Sequence, residues 1–228
     1  MPLIVGIDGC KSGWFAAWQN QEGVIETAVF QSISNLKNFF IGTNQLIIGI
    51  DIPVILSEVM PRQADQLARK LLSKKASSVF TAPTPEMLDQ PNYEKASLVS
   101  KKLIGKSMSL QSWYLFPKIK DVQNILHYEN IKVFEIHPEL SFRAMNNEKV
   151  ILESKKTDEG FRIRKSLLDK HFLDLNFDAI RTKYQKKDVM DNDILDALVV
   201  LWSAKRIANN QASYIPKIPE KPNMQIVY

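Results

Sequence analysis

Cysteine, long apolar runs and flexible linkers are what this sequence has least of. Its 228 residues include a single cysteine, Cys10, which excludes an internal disulfide and a cysteine-rich metal site and fits a reducing compartment. The apolar runs 46–50 and 195–202 stop well short of the roughly 20 residues that cross a bilayer, and no charged-then-apolar leader opens the chain. We therefore expect a cytoplasmic protein without a membrane partner.

No internal repeat, low-complexity segment or Pro/Gly/Ser-rich linker divides the chain. Apolar residues make up 45% of the sequence and charged residues 24%, which is enough to build one large core. The sequence therefore predicts a single domain, 1–228. Its net charge of +5 is a modest excess, which permits a polyanionic partner such as nucleic acid without requiring one.

Alternating and β-branched residues predict strands in the first part of the chain. Turns at 9–13 and 20–23 separate three such segments, which indicates an antiparallel meander. A helix follows, and then the continuous apolar run "QLIIGIDIP", which is typical of a strand buried on both faces. The predicted strands are 3–8, 14–18, 24–30 and the run that ends at Asp51, and the helix is 32–40.

Helical periodicity dominates the region 56–130, between the fourth strand and the segment "IKVFEIHPE". That segment predicts a fifth strand at 132–135, with Pro138 placed to begin a helix. Helical periodicity returns at 161–172 and 191–208. The predicted fold class is therefore α/β, a mixed five-stranded sheet flanked by helices, with a helical insertion between strands four and five.

Acidic residues stand at the ends of three predicted strands: Asp8, Asp51 and Glu135. Taken singly, each is explained as a turn residue or a helix cap. In an open α/β sheet, however, the carboxyl ends of neighbouring strands share one crevice, so the three acids are candidates for a common site.

The segment "DNDILDAL" near the C-terminus adds further acids. Asp193 and Asp196 are three residues apart and so share a helix face, whereas Asp191 is a plausible N-cap. Compensation of the helix dipole explains Asp193 without any site. Asp196 lies between Leu195 and Ala197, deeper in an apolar helix, where a carboxylate facing the protein requires a strong partner.

If Asp8, Asp51, Asp193 and Asp196 meet, their mutual repulsion requires a cation. Hard oxygen ligands select Mg²⁺ or Mn²⁺ as that cofactor. Two such ions would activate water and stabilise the leaving oxygen of a phosphodiester. The pattern therefore predicts phosphodiester hydrolysis.

Several motifs, in order along nearly the whole chain, resemble a known family. They are "VGIDGCKSGW", "IGIDIP", "RQADQLAR", "SSVFTAP", "SLQSW", "KIKDV", "VFEIHPELSF", "SKKTDEGFRIR" and "DNDILDAL". Together they resemble the predicted RNase H-like nucleases called domain of unknown function 429, within the RNase H-like superfamily. The resemblance implies an RNase H-like fold and the acidic site Asp8, Asp51, Glu135, Asp193 and Asp196, with His137 and Glu139 beside it.

The resemblance also marks positions in the insertion, where this sequence departs from the pattern in places. Gln63 and Ala64 replace residues that the family often has beside its Asp, and Glu86 stands where an arginine is expected. An acid there would weaken phosphate binding. The marked positions are Arg62, Asp65, Arg69, Ser78, Ser109, Gln111 and Lys118.

Basic residues are mostly expected on solvated helix faces. Lys155, Lys156, Arg162 and Arg164 lie between the Glu135 strand and the acidic helix, however, so one or two of them, with Lys155 and Arg164 preferred, are candidates to bind a substrate phosphate. His137 is either an acid/base or substrate-binding group or a residue bonded to the backbone. Trp113 and Tyr114 either stack a base or pack the insertion against the sheet.

The leading hypothesis is a divalent-metal-dependent nuclease acting on DNA or RNA. Asp8 and Asp196 would ligate or bridge metal, Asp51 and Asp193 would complete the shell, and Glu135 would ligate metal or orient water. One alternative is an actin-like nucleotide-binding or phosphotransfer protein, which also uses strand-end aspartates but normally needs two such domains. Another is a nucleic-acid-binding module without catalytic activity.

Overall fold

Strands and helices follow the predicted order, and two short strands are added near the C-terminus. The computed structural model describes residues 2–228. Its elements are β1 (Leu3–Cys10), β2 (Gly13–Gln19), β3 (Ile25–Phe30), α1 (Ile33–Phe39), β4 (Leu46–Ile50), α2 (Gln63–Leu72), a 3-10 helix (Ser73–Ser78), α3 (Pro85–Leu88), α4 (Tyr93–Ile104), α5 (Leu110–Tyr114), α6 (Phe116–Gln123), β5 (Ile131–Ile136), α7 (Pro138–Met145), α8 (Asp158–His171), α9 (Phe177–Thr182), α10 (Asp191–Ala208), β6 (Tyr214–Ile215) and β7 (Ile226–Val227).

The strands form one mixed sheet in the order β3-β2-β1-β4-β5-β7-β6. β1, β2 and β3 pair antiparallel as the predicted meander, whereas β1-β4, β4-β5 and β5-β7 pair parallel. The expectation of five strands is therefore corrected to seven: β7 extends the parallel part beyond β5, and β6 pairs antiparallel with it. Each added strand has two residues, too few to produce a recognisable alternation.

Two glycines let helix α10 approach the middle of the sheet. Gly6 of β1 and Gly49 of β4 are partners in the parallel register. A Cβ on Gly6 would lie 2.4 Å from the Ala197 carbonyl oxygen, and one on Gly49 would lie 3.0 Å from a Val200 methyl carbon. Any larger side chain at Gly6 would therefore push α10 off the sheet.

Alternation along the strands then decides which side chains face α10. Val5 and Ile7 of β1, and Ile48 and Ile50 of β4, point into the core on the opposite face, which α1 and α6 also cover. The residues that alternate with these, including Gly6 and Gly49, face α10 instead. Asp8 lies two residues after Gly6 and Asp51 two residues after Gly49, so both are on the α10 side of the sheet.

The insertion between β4 and β5 is mainly helical, as predicted, and it packs against the sheet. Asp121 of α6 fixes part of it, since its carboxylate accepts hydrogen bonds from the Trp14 indole at 2.7 Å and from the Ile33 backbone N–H at 2.8 Å. Ile119 and Val122 of the same helix are buried in the core beneath the sheet.

Among residues 2–228, none of the helices combines the length and the apolar character that a bilayer span requires.

Candidate functional site

Asp8 and Asp51 lie side by side at the carboxyl ends of β1 and β4. Ile7 and Ile50 are the last register partners of the two strands, and the Asp51 N–H donates to the Ile7 carbonyl at 3.2 Å. The next residue of each strand is therefore one of the two aspartates. Asp8 is 8% exposed, so its carboxylate has little contact with water.

Helix α10 brings the next pair of acids to the same place. Asp196 precedes Val200 by one turn, and Asp193 precedes Ala197 by one turn, so each acid lies above a residue that contacts a strand glycine. Asp193 also caps the helix, because its carboxylate accepts from the Met190 N–H at 2.8 Å. The helix-cap and dipole explanation of Asp193 therefore holds alongside its position in the cluster.

The pKa values of Asp8, Asp51 and Asp193 are raised by burial and by neighbouring carboxylates. Burial raises the pKa of Asp8 well above 3.8, and the charges of Asp196 and Asp51 raise it further. Burial and the charge of Asp196 raise the pKa of Asp51 to about 8. Burial also raises the pKa of Asp193, against the opposing hydrogen bond from Met190. The four carboxylates predicted to meet therefore share one electrostatic environment.

Among residues 2–228, Lys155 is the cation that forms an ion pair within this group of four, which we call the acidic cluster: Asp8, Asp51, Asp193 and Asp196. The Lys155 ammonium forms an ion pair with Asp196. The charge of Asp196, followed by that of Asp8, raises the pKa of Lys155.

A single ammonium leaves the cluster with excess negative charge when its acids are ionised, and carboxylate oxygens are the donors that Mg²⁺ and Mn²⁺ prefer. The donor chemistry of the acidic cluster therefore fits a divalent cation. The side-chain positions, however, do not form a complete metal site, since across residues 2–228 no three His, Cys, Asp or Glu side chains are placed as ligands around one point. Lys155, held against Asp196, is the group that a metal ion would have to displace.

Glu135 is close to the acidic cluster but belongs to a different network. Ile136 contacts the α10 face through Gly49, so alternation directs its neighbour Glu135 to the other face of the sheet. There Arg62 donates to both Glu135 carboxylate oxygens, at 2.6 and 2.9 Å, and the Val54 N–H donates a third hydrogen bond at 3.1 Å. The three strand-end acids therefore line one cleft, as expected, but Glu135 is bound by Arg62 and is not free to ligate a metal ion.

Arg62 completes a buried network at the start of α2. It also donates to Asp65 at 2.7 Å and to the Ile55 carbonyl at 2.9 Å, and the Asp65 carboxylate accepts from the Ala82 N–H at 3.1 Å. Arg62 and Asp65, which the motif comparison marked without a role, thus fasten the insertion to β5.

Arg164 does not face a substrate. It is fully buried and donates to both Glu139 carboxylate oxygens, at 2.8 and 2.9 Å, and to the carbonyls of Glu153 and Gly160. The expectation that Arg164 binds a substrate phosphate is therefore corrected: its guanidinium joins α8 to α7. The physical reason is that a buried Glu139 requires a buried cation.

His137 lies between these networks and an open cleft. Its Nε2 is 3.2 Å from the Ser78 carbonyl oxygen, and its Nδ1 is buried without a hydrogen-bond partner in the described residues. Burial lowers the pKa of His137. His137 is therefore bonded to the backbone, which was one of its two interpretations. Its Nδ1, which has no hydrogen-bond partner in the described residues, remains a candidate acid/base group.

A cleft of about 230 Å³ opens beside Asp8 and Asp51 and is closed on its far side by the insertion. Lys118 reaches into it, donating to the Gly13 carbonyl with its ammonium 4.3 Å from the Trp14 ring centroid. Lys118 thus flanks the acidic cluster from the insertion, while Lys155 flanks it from the segment before α8. Among the remaining lining residues are Ser78, Gln111, Glu135 and His137.

The two aromatic candidates of the insertion lie outside that lining. Trp113 is partly buried and its ring packs 5.1 Å from the Phe116 ring, whereas Tyr114 is 72% exposed. Trp113 therefore packs against the core, in line with the packing interpretation rather than the base-stacking one.

Two contacts at this site had little signal in the sequence. Asp121, inside the motif "KIKDV", anchors the insertion although nothing in its spacing marked it. The pairing of Lys155 with Asp196 joins residues 41 apart in the chain, a separation at which no periodicity operates.

The fold and site together define an α/β protein with an acidic cluster at the carboxyl edge of a mixed sheet. The chain belongs to the family described as Protein of unknown function (DUF429), whose model matches residues 6–221. Neither a curated protein nor a solved structure matches the sequence.

Proposed function

We propose that this protein is a divalent-metal-dependent nuclease of RNase H-like type, which hydrolyses phosphodiester bonds of DNA or RNA at the acidic cluster. The observation that carries the proposal is the convergence of four carboxylates from two parallel strands and one helix, with the pKa values of Asp8, Asp51 and Asp193 raised by burial and by neighbouring negative charges. A protein that keeps so much like charge together without a cation loses stability, so the arrangement favours a site for bound metal.

Each side chain has a role that its position supports. Asp8 and Asp51, at neighbouring strand ends, would hold the cation from the sheet, and Asp196 and Asp193 would hold it from α10. Bound Mg²⁺ or Mn²⁺ would supply an activated water and would stabilise the leaving oxygen. Glu135, bound by Arg62, would act as a fixed charge behind the site rather than as a ligand.

Lys155 also lines an open groove of about 480 Å³ beside Phe161 at the start of α8. Lys156 lies in the same groove, together with Asp158 and the ion pair of Lys186 with Asp191. If a metal ion replaced Lys155 at Asp196, the Lys155 ammonium would be free to bind a phosphate of the nucleic acid. This supports nucleic acid as the substrate class.

The test is cleavage of labelled single- and double-stranded DNA and RNA with Mg²⁺, with Mn²⁺ or with chelator. Metal should also raise the melting temperature, because it binds the folded state alone. Asp8→Asn should remain folded in chelator, gain less stability from metal and lose most of the turnover.

The matched control is Asp174→Asn, which removes an exposed carboxylate in the loop after α8. It should behave as the parent in every assay. If Asp8→Asn leaves both metal stabilisation and cleavage unchanged, the acidic cluster is not an active site. Nucleic-acid binding without cleavage in any metal would favour the binding-module alternative instead.

A further inference from the structure

The cleft beside Asp8 and Asp51 continues into a second volume that no role has yet explained. That volume, about 240 Å³, shares Ser78, Val79, Phe80, Gln111 and Leu115 with the first, so the two form one trough. At its far end the walls are polar: Ser77, Ser109, Ser112 and Thr81 surround Arg69. One end of the trough lies at the acidic cluster, and the other, which we call the inner end, lies in the insertion, where Ser77, Ser109 and Gln111 are exposed to solvent.

Arg69 of α2 is the charged group of that inner end. One terminal nitrogen, Nη2, donates to the Val79 carbonyl at 2.9 Å and to the Thr81 hydroxyl, which fixes the plane of the guanidinium. Within residues 2–228 no carboxylate pairs with Arg69, and its Nε and Nη1 have no hydrogen-bond partner. A half-buried guanidinium that is held in place with free donors is suited to bind an oxyanion.

Neighbouring polar groups add donors without adding negative charge. The Gln111 side chain is exposed and makes no hydrogen bond within the described residues, and Ser77 is likewise exposed. Glu86, the acid that was expected to weaken phosphate binding, does not line either volume of the trough. The inner end therefore has a net positive charge.

The charges of the trough are thus separated along its length. Asp8 and Asp51 stand at one end and Arg69 at the other, while the carboxylates of Asp65 and Glu135 between them share one cation, Arg62. Metal at the acidic end and phosphate at the Arg69 end would each meet a complementary charge. A substrate with two phosphates, one held through metal and one by Arg69, has that pattern.

We propose that the inner end of the trough is a phosphate-binding subsite that takes the terminal phosphate of a short single strand of nucleic acid. The two volumes, about 230 and 240 Å³, form one trough in the size class of small-molecule pockets, roughly 300–1,000 Å³, which suits a short single strand. The scissile bond at the acidic end rests on the proposed nuclease function. Phosphate binding at Arg69 does not depend on it.

The test is calorimetric binding in chelator, where no metal-dependent cleavage occurs. The probes are the dinucleotide pTpT, which carries a 5′ phosphate, its unphosphorylated form TpT, and inorganic phosphate. The parent should bind pTpT about tenfold or more tightly than TpT, as expected for charge-assisted hydrogen bonds to the phosphate. Arg69→Gln should remove that difference. Lys70→Gln, which removes a positive charge from an exposed residue of the same helix, should retain it.

Because Arg69 also holds Val79 and Thr81, a second variant is needed in case Arg69→Gln unfolds. Gln111→Ala removes an exposed side chain with no internal hydrogen bond and should weaken pTpT binding severalfold, more than it weakens TpT binding. Equal binding of pTpT and TpT by the parent would overturn the proposal, as would the same loss in Lys70→Gln as in Arg69→Gln. Binding of inorganic phosphate as tight as that of pTpT would overturn the nucleic-acid assignment and leave a site for free phosphate. Metal-dependent cleavage assays report separately on the nuclease function.

Discussion

Replacing Asp51 by Asn should stabilise the metal-free protein, and this prediction tests the electrostatic basis of the candidate site. The substitution keeps the shape of the side chain and the Asp51 backbone hydrogen bond to Ile7, but it removes one negative charge from the acidic cluster. Repulsion between the carboxylates of Asp8 and Asp196 and position 51 is then removed, while Lys155 loses one of the negative charges near it.

The sign follows from the raised pKa. A carboxyl with a pKa of about 8 in the folded protein and 3.8 when unfolded binds more protons in the folded state between those values, so the parent loses stability as pH rises through them. At about 1.4 kcal/mol for each pKa unit, the ceiling on that loss is roughly 6 kcal/mol. Because Asp51 is partly exposed and its surroundings relax, we expect a stabilisation on the order of 2 kcal/mol at about pH 8.

Urea denaturation in chelator, at intervals from about pH 4 to about pH 8, measures the effect. The advantage of Asp51→Asn over the parent should be small at the acid end and should grow with pH. Adding Mg²⁺ at the alkaline end should reverse the order, because the parent regains stability by binding metal and the variant gains less. Asp174→Asn, which changes an exposed carboxylate, serves as the control and should follow the parent.

A stability difference that stays constant with pH would refute the reasoning, because no titrating carboxyl would then lie behind it. Destabilisation of Asp51→Asn at alkaline pH would also refute it. In that event the negative charge of Asp51 would be compensated by a cation of the protein.

Three further substitutions test the network around the site. Lys155→Met should destabilise the metal-free protein by about 1–3 kcal/mol, which is less than the loss of a fully buried pair because Lys155 is partly exposed. Mg²⁺ should restore that stability. Urea denaturation with and without metal measures both effects, and an equal loss of stability in the two conditions would contradict the prediction. Arg62→Met should cost about 3–5 kcal/mol by leaving Glu135 and Asp65 buried without their cation, and double substitution with Glu135→Gln should relieve only part of that cost because Asp65 stays charged. Gly6→Ala should displace α10 and abolish metal stabilisation of whatever protein still folds, since its Cβ would lie 2.2 Å from the Leu201 nitrogen; an unchanged melting temperature would rule out the close packing described here.

The sequence alone determined which elements form and which acids end them. Asp8 lies two residues before the end of β1 and Asp51 directly follows β4, in both cases where the apolar run stops, and the spacing of Asp193 and Asp196 follows from the helical period. These are local properties, since strand alternation and helical periodicity depend on neighbours within a few residues. The helical insertion was predictable for the same reason.

Only the tertiary structure decided which face of the sheet each strand-end acid occupies. β5 reads "IKVFEI", with apolar residues on both faces, so its pattern does not indicate whether Glu135 points toward α10 or toward Arg62. Sheet registers and partners distant in the chain settle that question. Pairing of β4 with β5 aligns Glu135 with Ile50, one residue short of Asp51, and the insertion then brings Arg62 to it.

The same limit applies to the cations and the sheet edge. Lys155 and Arg164 are nine residues apart in one basic stretch, yet one pairs with Asp196 near the surface and the other is buried against Glu139. A sequence shows that charges are present, but the solvent exposure that separates the partly exposed Lys155 from the buried Arg164 arises only when α7, α8 and α10 pack together. The two-residue strands β6 and β7 likewise exist because an unpaired edge of β5 is available to them, a condition set by the assembled sheet.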